Sequence, residues 1–343
     1  MATGVTLEIR DLRLYGAAEL RPLLGVESEI WRRRLDWEYK GSARLLLEYL
    51  DARSLPGFVA VEQGEILGYV FCVYEAHKAV IGNVFAAPRV IGDWSAGDSL
   101  PRHEVERLLL EQAVTLLTHS PGVDRVETQL LLHPAGEHGA TLAAHGFQRA
   151  ERLYLERLLQ GAPEQASQTG NAAALPDRSQ AIVGGCRLRP CRDADMQAAA
   201  QLIVAAYPDH PDSRINDQYR SLSGAQRFLH NIVRFPGCGS FVPEASFLAV
   251  DALSGALAGM VLSSQISSGC GHITQICVAP GHRRRGLAEW LLEESIAALE
   301  ARGMERLTLT VTASNTDAIR LYQRKGFTER HRFDAAVWER VRL

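Results

Sequence analysis

The stretch "QICVAPGHRRRGLAEWLLEES", Gln275–Ser295, runs from an apolar strand pattern through a proline, three arginines and a glycine into a helical pattern. Leu287, Leu291, Leu292, Ile296 and Leu299 recur near a period of 3.6, which predicts a helix over Leu287–Ala301, and Gly303 supplies its stop. The first N–H groups of such a helix lack internal partners and carry partial positive charge, so a phosphate or pyrophosphate is a favourable guest there. Arginine side chains oppose that dipole unless an anion is present. Gly286 allows close backbone approach, and Ala288 keeps the first turn narrow.

Working outward, the same order of elements occurs twice. "FVAVEQGEILGYVFCVYEA" from Phe58 and "FLAVDALSGALAGMVLSSQIS" from Phe247 read as β-hairpins turning at Gly64-Glu65 and Ser254-Gly255. "KAVIGNVFAAP" and "CGHITQICVAP" are strands closed by Ala-Pro, followed by helical patterns, Val105–Leu117 in the first half. A further strand, "RVETQLLL" or "RLTLTVTAS", leads to a short helix, Thr316–Lys325 in the second half, and to His145-Gly146-Phe147 or Lys325-Gly326-Phe327. The fold class expected is α/β (α+β), with two tandem domains, each a mixed, mostly antiparallel sheet flanked by helices. Between them, residues 161–182 are poor in large apolar side chains and read as a linker, leaving domains over 1–160 and 183–343.

Composition narrows the function classes. The 343 residues are 46% apolar and 22% charged with net charge −3, which offers no broad field for nucleic acid. No apolar run reaches membrane-spanning length, and no leader pattern opens the chain, so a cytoplasmic protein without a membrane partner is expected. The cysteines Cys72, Cys186, Cys191, Cys238, Cys270 and Cys277 form no CxxC pair and no zinc-like spacing with histidine. Reduced core thiols and no metal are the expectation, and the oligomeric state is left open.

The loop Arg283–Ala288 is joined to a second motif, "ASNTDAIRLYQRKGF", with Asn315, Ala318, Leu321, Tyr322, Gly326 and Phe327. The pair resembles the GNAT superfamily of N-acetyltransferases, marked by R/Q-x-x-G-x-G/A after a strand and by N-x-x-A-x-x-L-Y-x-x-x-G-F. The likeness covers about residues 186–343 by motif and the first half by its order of elements. The tandem arrangement is similar to that of mycothiol synthase.

That resemblance implies acetyl-CoA as cosubstrate, a primary amine of a small molecule as acceptor, and a catalytic second domain beside a degenerate, silent first one. It implies that the backbone of Ile276, Cys277 and Val278 pairs with the acetyl and pantetheine part, while Arg283, Arg284, Arg285, Gly286, Leu287 and Ala288 hold the pyrophosphate. Asn315 would bond the cofactor arm, and Tyr322 would protonate the departing thiolate. From the residues alone, Asn315 is equally placed to cap a helix, and Tyr322 and the strand residues to pack a core. No carboxylate stands at Thr274, Gln275 or Thr310, so His272 is the nearest titratable candidate for a base. A water-mediated base, or a carboxylate from "YPDHPDSRINDQY", is equally tenable, and Asp209, Asp212 and Asp217 there would suit a cationic amine.

"LTVTASNTDAIRLYQRKGF" also resembles bacterial N-terminal acetyltransferases of a ribosomal protein, which carry a glutamate where Thr310 stands; a peptide or protein acceptor is the alternative. A non-catalytic acyl-CoA-binding regulatory protein is the reading from another class. The first half carries 12 extra residues near "GDWSAGDSLPRH", sets Trp94 where a small residue belongs beside Arg89 and Gly92, and has "GEHGATLAAHGF" where Asn315 and Tyr322 would correspond.

Overall fold

The computed structural model describes residues 7–88, 101–160, 181–235 and 237–341. In chain order the elements are β1 (Glu8–Asp11), α1 (Ala17–Leu35), α2 (Lys40–Asp51), β2 (Gly57–Glu62), β3 (Glu65–Glu75), β4 (Lys78–Ala86), α3 (Arg102–His119), β5 (Arg125–Gln129), α4 (Gly139–Ala144) and β6 (Gln148–Leu158). There follow β7 (Cys186–Pro190), α5 (Met196–Ala206), α6 (Pro211–Ile215), α7 (Leu222–Arg234), β8 (Ser240–Phe241), β9 (Phe247–Asp251), β10 (Leu257–Ser267), β11 (Cys270–Val278), α8 (Leu287–Ala301), β12 (Arg306–Thr312), α9 (Thr316–Arg324) and β13 (Thr328–Glu339).

The chain forms two compact units, Met1–Arg152 with Arg332–Leu343, and Leu153–His331. The division therefore departs from the halves read in the sequence. Residues 153–158 of β6 count with the second unit, and residues 332–339 of β13 with the first. Core membership agrees: Leu153, Leu155 and Leu159 lie in the core of the second unit, and Ala336 in that of the first. An alternating strand records which of its faces is apolar but not which sheet it joins, so the exchange leaves no local trace. Most of the expected linker, residues 161–180, lies outside the described residues, as does the expected degenerate loop with Arg89, Gly92 and Trp94.

Strand order is β1-β2-β3-β4-β5-β13 in the first unit and β6-β12-β11-β10-β9-β7 in the second. Both hairpins form; the first turns at Gln63-Gly64, where both residues have positive φ, one position earlier than expected. In the second unit α8 buries Leu287, Leu291, Leu292, Ile296 and Leu299 against one sheet face, each fully buried Leu or Ile contributing about 1.5–3 kcal/mol. The opposite face packs Met260, Leu262 and Cys277 against α5 and α7 through Ala199, Ile203, Leu229 and Ile232. None of the six cysteines is in a disulfide, and five of them are buried.

One irregularity, repeated in both units, positions everything that follows. In the second unit Ser263 pairs with Ile273 and Leu262 with Gln275, so Thr274 is an extra residue, a β-bulge. Its hydroxyl donates to the Leu262 carbonyl at 3.0 Å. Parallel pairing of β11 with β12 ends at that point, the last partners being Ile273 and Leu309. The first unit has the same bulge at Gly82, where a Cβ would stand 2.2 Å from the Phe71 ring, and β4 leaves β5 after Ile81 and Thr128. A bulge bends its strand, and the bend parts two parallel neighbours into a wedge.

Candidate active site

Beyond the bulge, among the described residues, β11 keeps only its β10 partner. The Ala279 N–H bonds the Ala258 carbonyl at 2.8 Å, which fixes the phase of the ladder. Antiparallel pairs alternate, so Cys277 and Gln275 turn their backbone groups toward β10, while Ile276 and Val278 turn theirs into the wedge. Of the three residues expected to receive a cofactor as an added strand, two, Ile276 and Val278, turn their backbone groups away from β10. Cys277 instead sends its side chain into the α5–α7 core, where burial pushes the thiol up to about 12.

The strand then enters the arginine loop. Arg284 and Gly286 both have positive φ, 59° and 81°, folding the chain tightly onto the start of α8. Gly286 is the N-cap and supplies no side-chain acceptor, so the N–H groups of Leu287, Ala288 and Glu289 point outward without helical partners. The three arginines diverge. Arg283 donates to the Ala206 carbonyl at 2.6 Å and to the Val278 carbonyl at 3.4 Å. Its guanidinium thus ties α5 to β11, a role the sequence reading did not foresee. Arg284 is 87% exposed and lies 3.9 Å from Asp317, an exposed pair of little energetic weight. Arg285 is also exposed, and its Cβ is packed by the Val183–Cys186 turn, where a Cβ on Gly184 would come within 2.8 Å.

One further contact braces the loop. His282 Nε2 lies 3.1 Å from Asp251 Oδ2. Backbone donation from Ser254, followed by the His282 contact, holds the Asp251 carboxyl well below the usual carboxylate range. The Gly184-Gly185 pair was a legible turn signal; the Asp251–His282 contact, across 31 residues, was not.

On the other side of the wedge, Asn315 caps α9, accepting from the Ala318 N–H at 3.3 Å, and its Nδ2 lies 3.0 Å from His210 Nε2. Tyr322, 5% exposed, packs in the α8–α9 core with its ring 5.8 Å from Phe327. The segment after α5 bridges the wedge. The Tyr207 hydroxyl accepts from Gln275 Nε2 at 3.0 Å, and Thr312 Oγ1 donates to Asp212. Tyr207 stacks on Tyr219 at 4.4 Å and meets His210 edge-on at 4.7 Å. Beside this segment lies a cavity of about 400 Å³ lined by Tyr207, Asp209, Ser213, Arg214, Tyr219 and Arg220 among others. Of the three aspartates singled out in the sequence, Asp209 lines the cavity, Asp212 is engaged by Thr312, and Asp217 begins a short 3-10 turn.

His272 stands apart from this group. It is buried on the paired half of β11, with Nδ1 2.8 Å from Thr308 Oγ1 and its ring stacked 6.1 Å from Tyr154. Six residues of strand separate it from Val278, roughly 20 Å along an extended chain.

The first unit treats the same wedge differently. By the two bulges, Val84 and Ala86 correspond to Ile276 and Val278, and Ala87 bonds back to Leu67 as Ala279 does to Ala258. Here the exposed edge is filled from within. His133 Nε2 meets the Val84 carbonyl at 2.9 Å, and the Ala86 N–H donates to Glu106 Oε1 at 3.0 Å.

Comparison with known proteins agrees with this geometry. Residues 217–327 match the model of the Acetyltransferase (GNAT) family. The chain is 31% identical over 161 residues to a mycothiol acetyltransferase of Beutenbergia cavernae, covering 46% of this chain and 50% of that protein. It is 52% identical over 54 residues to the [Ribosomal protein bS18]-alanine N-acetyltransferase of Salmonella typhimurium, covering 16% and 36%. These alignments span half or less of the relatives' own length. A GCN5-related N-acetyltransferase from Sphaerobacter thermophilus superposes with a TM-score of 0.61 at 19% identity, over 97% of this chain and 95% of that one. Among the described residues no helix is long and apolar enough to cross a membrane. The stretch that matches the GNAT acetyltransferase family, residues 217–327, thus lies wholly within the second unit and contains both the arginine loop and Asn315 to Phe327.

Proposed function

We propose that the second unit binds acetyl-CoA in the wedge between β11 and β12 and transfers its acetyl group to the amine of a small molecule. The observation carrying this reading is the continuity of an unpaired strand edge at Ile276 and Val278 with the uncapped N-terminus of α8. A chain of amide groups fits the first by strand addition, and a pyrophosphate fits the second. Bound acetyl-CoA supplies the thioester whose C–S bond breaks as the C–N bond to the amine forms. The Val278 N–H polarises the carbonyl, Tyr322 returns a proton to the sulfur, and a base removes one from the amine nitrogen.

For the base we favour His210 over His272. His210 is a quarter exposed and stands on the wedge wall beside Asn315, whereas His272 is enclosed by Thr308 and Tyr154. His210→Ala is expected to lower kcat about 100-fold and remove the acidic limb of the pH–rate profile. His272→Ala is expected to cost about 1–3 kcal/mol of stability and leave that limb in place. Loss of the limb in the His272 variant alone would reverse the assignment.

The cavity beside Tyr207 has the size of a small-molecule site, and Asp209 on its wall suits a cationic amine. A peptide N-terminus is the second reading, favoured by the identity over 54 residues to the ribosomal protein acetyltransferase. Thiol release from acetyl-CoA, followed across a panel of small amines and alanine-starting peptides, separates the two. No release with any acceptor, while acetyl-CoA still binds, would leave a binding protein and overturn the enzyme reading.

A further inference from the structure

The side chains that seal the wedge of the first unit form a second, unexplained cluster. Glu106 comes from α3, His133 and Glu137 from the segment after β5, and His138 is the N-cap of α4. His133 Nδ1 lies 3.1 Å from His138 Nε2, 3.2 Å from Glu137 Oε2 and 3.8 Å from Glu106 Oε2. Glu106, His133 and His138 are 0%, 1% and 4% exposed.

Hydrogen bonds within the protein do not complete this group. His133 Nε2 faces the Val84 carbonyl, which can only accept, so that nitrogen carries a proton. In the neutral ring Nδ1 is then a lone pair, which can receive the His138 N–H but confronts Glu137 Oε2. A second proton on His133 would satisfy Glu137 and still leave Glu106 Oε2, at 3.8 Å, beyond hydrogen-bond reach. That oxygen is buried and has no hydrogen-bond partner. An orphaned carboxylate oxygen inside a protein is costly unless a positive charge meets it.

We propose that the cluster is a buried site for one divalent transition-metal ion, zinc by its donor set, held by Glu106 Oε2, His133 Nδ1 and His138 Nε2. Two imidazole nitrogens and one carboxylate oxygen are a donor set suited to zinc, and one donor atom from each of the three residues lies within 4.8 Å of the others. Bonds of about 2.0–2.1 Å in a tetrahedron separate neighbouring donors by roughly 3.3 Å, against 3.1 and 3.8 Å from His133 Nδ1 to His138 Nε2 and Glu106 Oε2. The outer contacts fit as well. His133 donates its other ring N–H to a backbone carbonyl, and Glu106 Oε1 accepts from Ala86 N–H and from Arg102 Nε at 2.8 Å. The ion would lock the side chains that occupy the backbone edge of β4. The sequence reading expected no metal because it sought Cys and His spacings, and here Glu106 enters from a separate helix.

The test uses the full-length chain. Metal analysis after exhaustive dialysis is expected to find one zinc per chain, and chelation is expected to lower the melting temperature until zinc alone restores it. His138→Ala is expected to lose both the metal and the zinc-dependent shift. Glu106→Gln discriminates further, since an amide there brings its own donor: a metal-free site would melt at the same temperature or higher, whereas the zinc site loses affinity more than 10-fold. Protein that retains no metal, and whose melting is unmoved by added zinc, would overturn the proposal. Unchanged zinc affinity in Glu106→Gln would overturn it also.

Discussion

Gly286→Glu is expected to weaken acetyl-CoA binding by roughly 100-fold or more, a loss of about 3 kcal/mol. Two effects act in the same direction. The residue sits at φ 81°, where any side chain is strained. The added carboxylate would also stand at the N-cap of α8, before the Leu287, Ala288 and Glu289 N–H groups, and repel the phosphates proposed to bind there. Arg284→Ala, by contrast, removes one exposed guanidinium and is expected to cost only a few-fold in affinity. Calorimetry on both variants, with melting curves to establish that each is folded, reads the difference. Equal effects would mean that charge, rather than the helix terminus, holds the cofactor.

Tyr322→Phe is expected to lower kcat by 10²- to 10⁴-fold while leaving the dissociation constant of acetyl-CoA nearly unchanged. The ring is buried in the core of the second unit beside Phe327, so phenylalanine preserves the core and removes only the O–H. A side chain that serves packing alone would show no change in kcat, and that outcome would require another proton donor.

Local pattern carried the second unit well. The periodicity of Leu287, Leu291, Leu292, Ile296 and Leu299 marked α8 to its last residue, and the Asn315 cap and the Gly303 stop formed where their chemistry placed them. Other decisive features depend on partners distant in sequence. The bulge at Thr274 exists only relative to Leu262 and Ser263, so the wedge was invisible until register was known. Arg283 resembled its neighbours as a charge, yet its partner is a carbonyl 77 residues away. His210 lay within a stretch read for its aspartates, and its partner Asn315 is 105 residues on. In the first unit, His133 and Glu106 fill backbone sites on β4 that the sequence could only suggest were degenerate.

The central claim is that one of two similar wedges is open and the other is filled by its own side chains. Calorimetric titration of the full-length chain with acetyl-CoA reads this directly as a stoichiometry. The account predicts one site per chain, abolished by Gly286→Glu. Two sites would contradict the sealing of the first unit by His133 and Glu106, and no binding would contradict the assignment of the second.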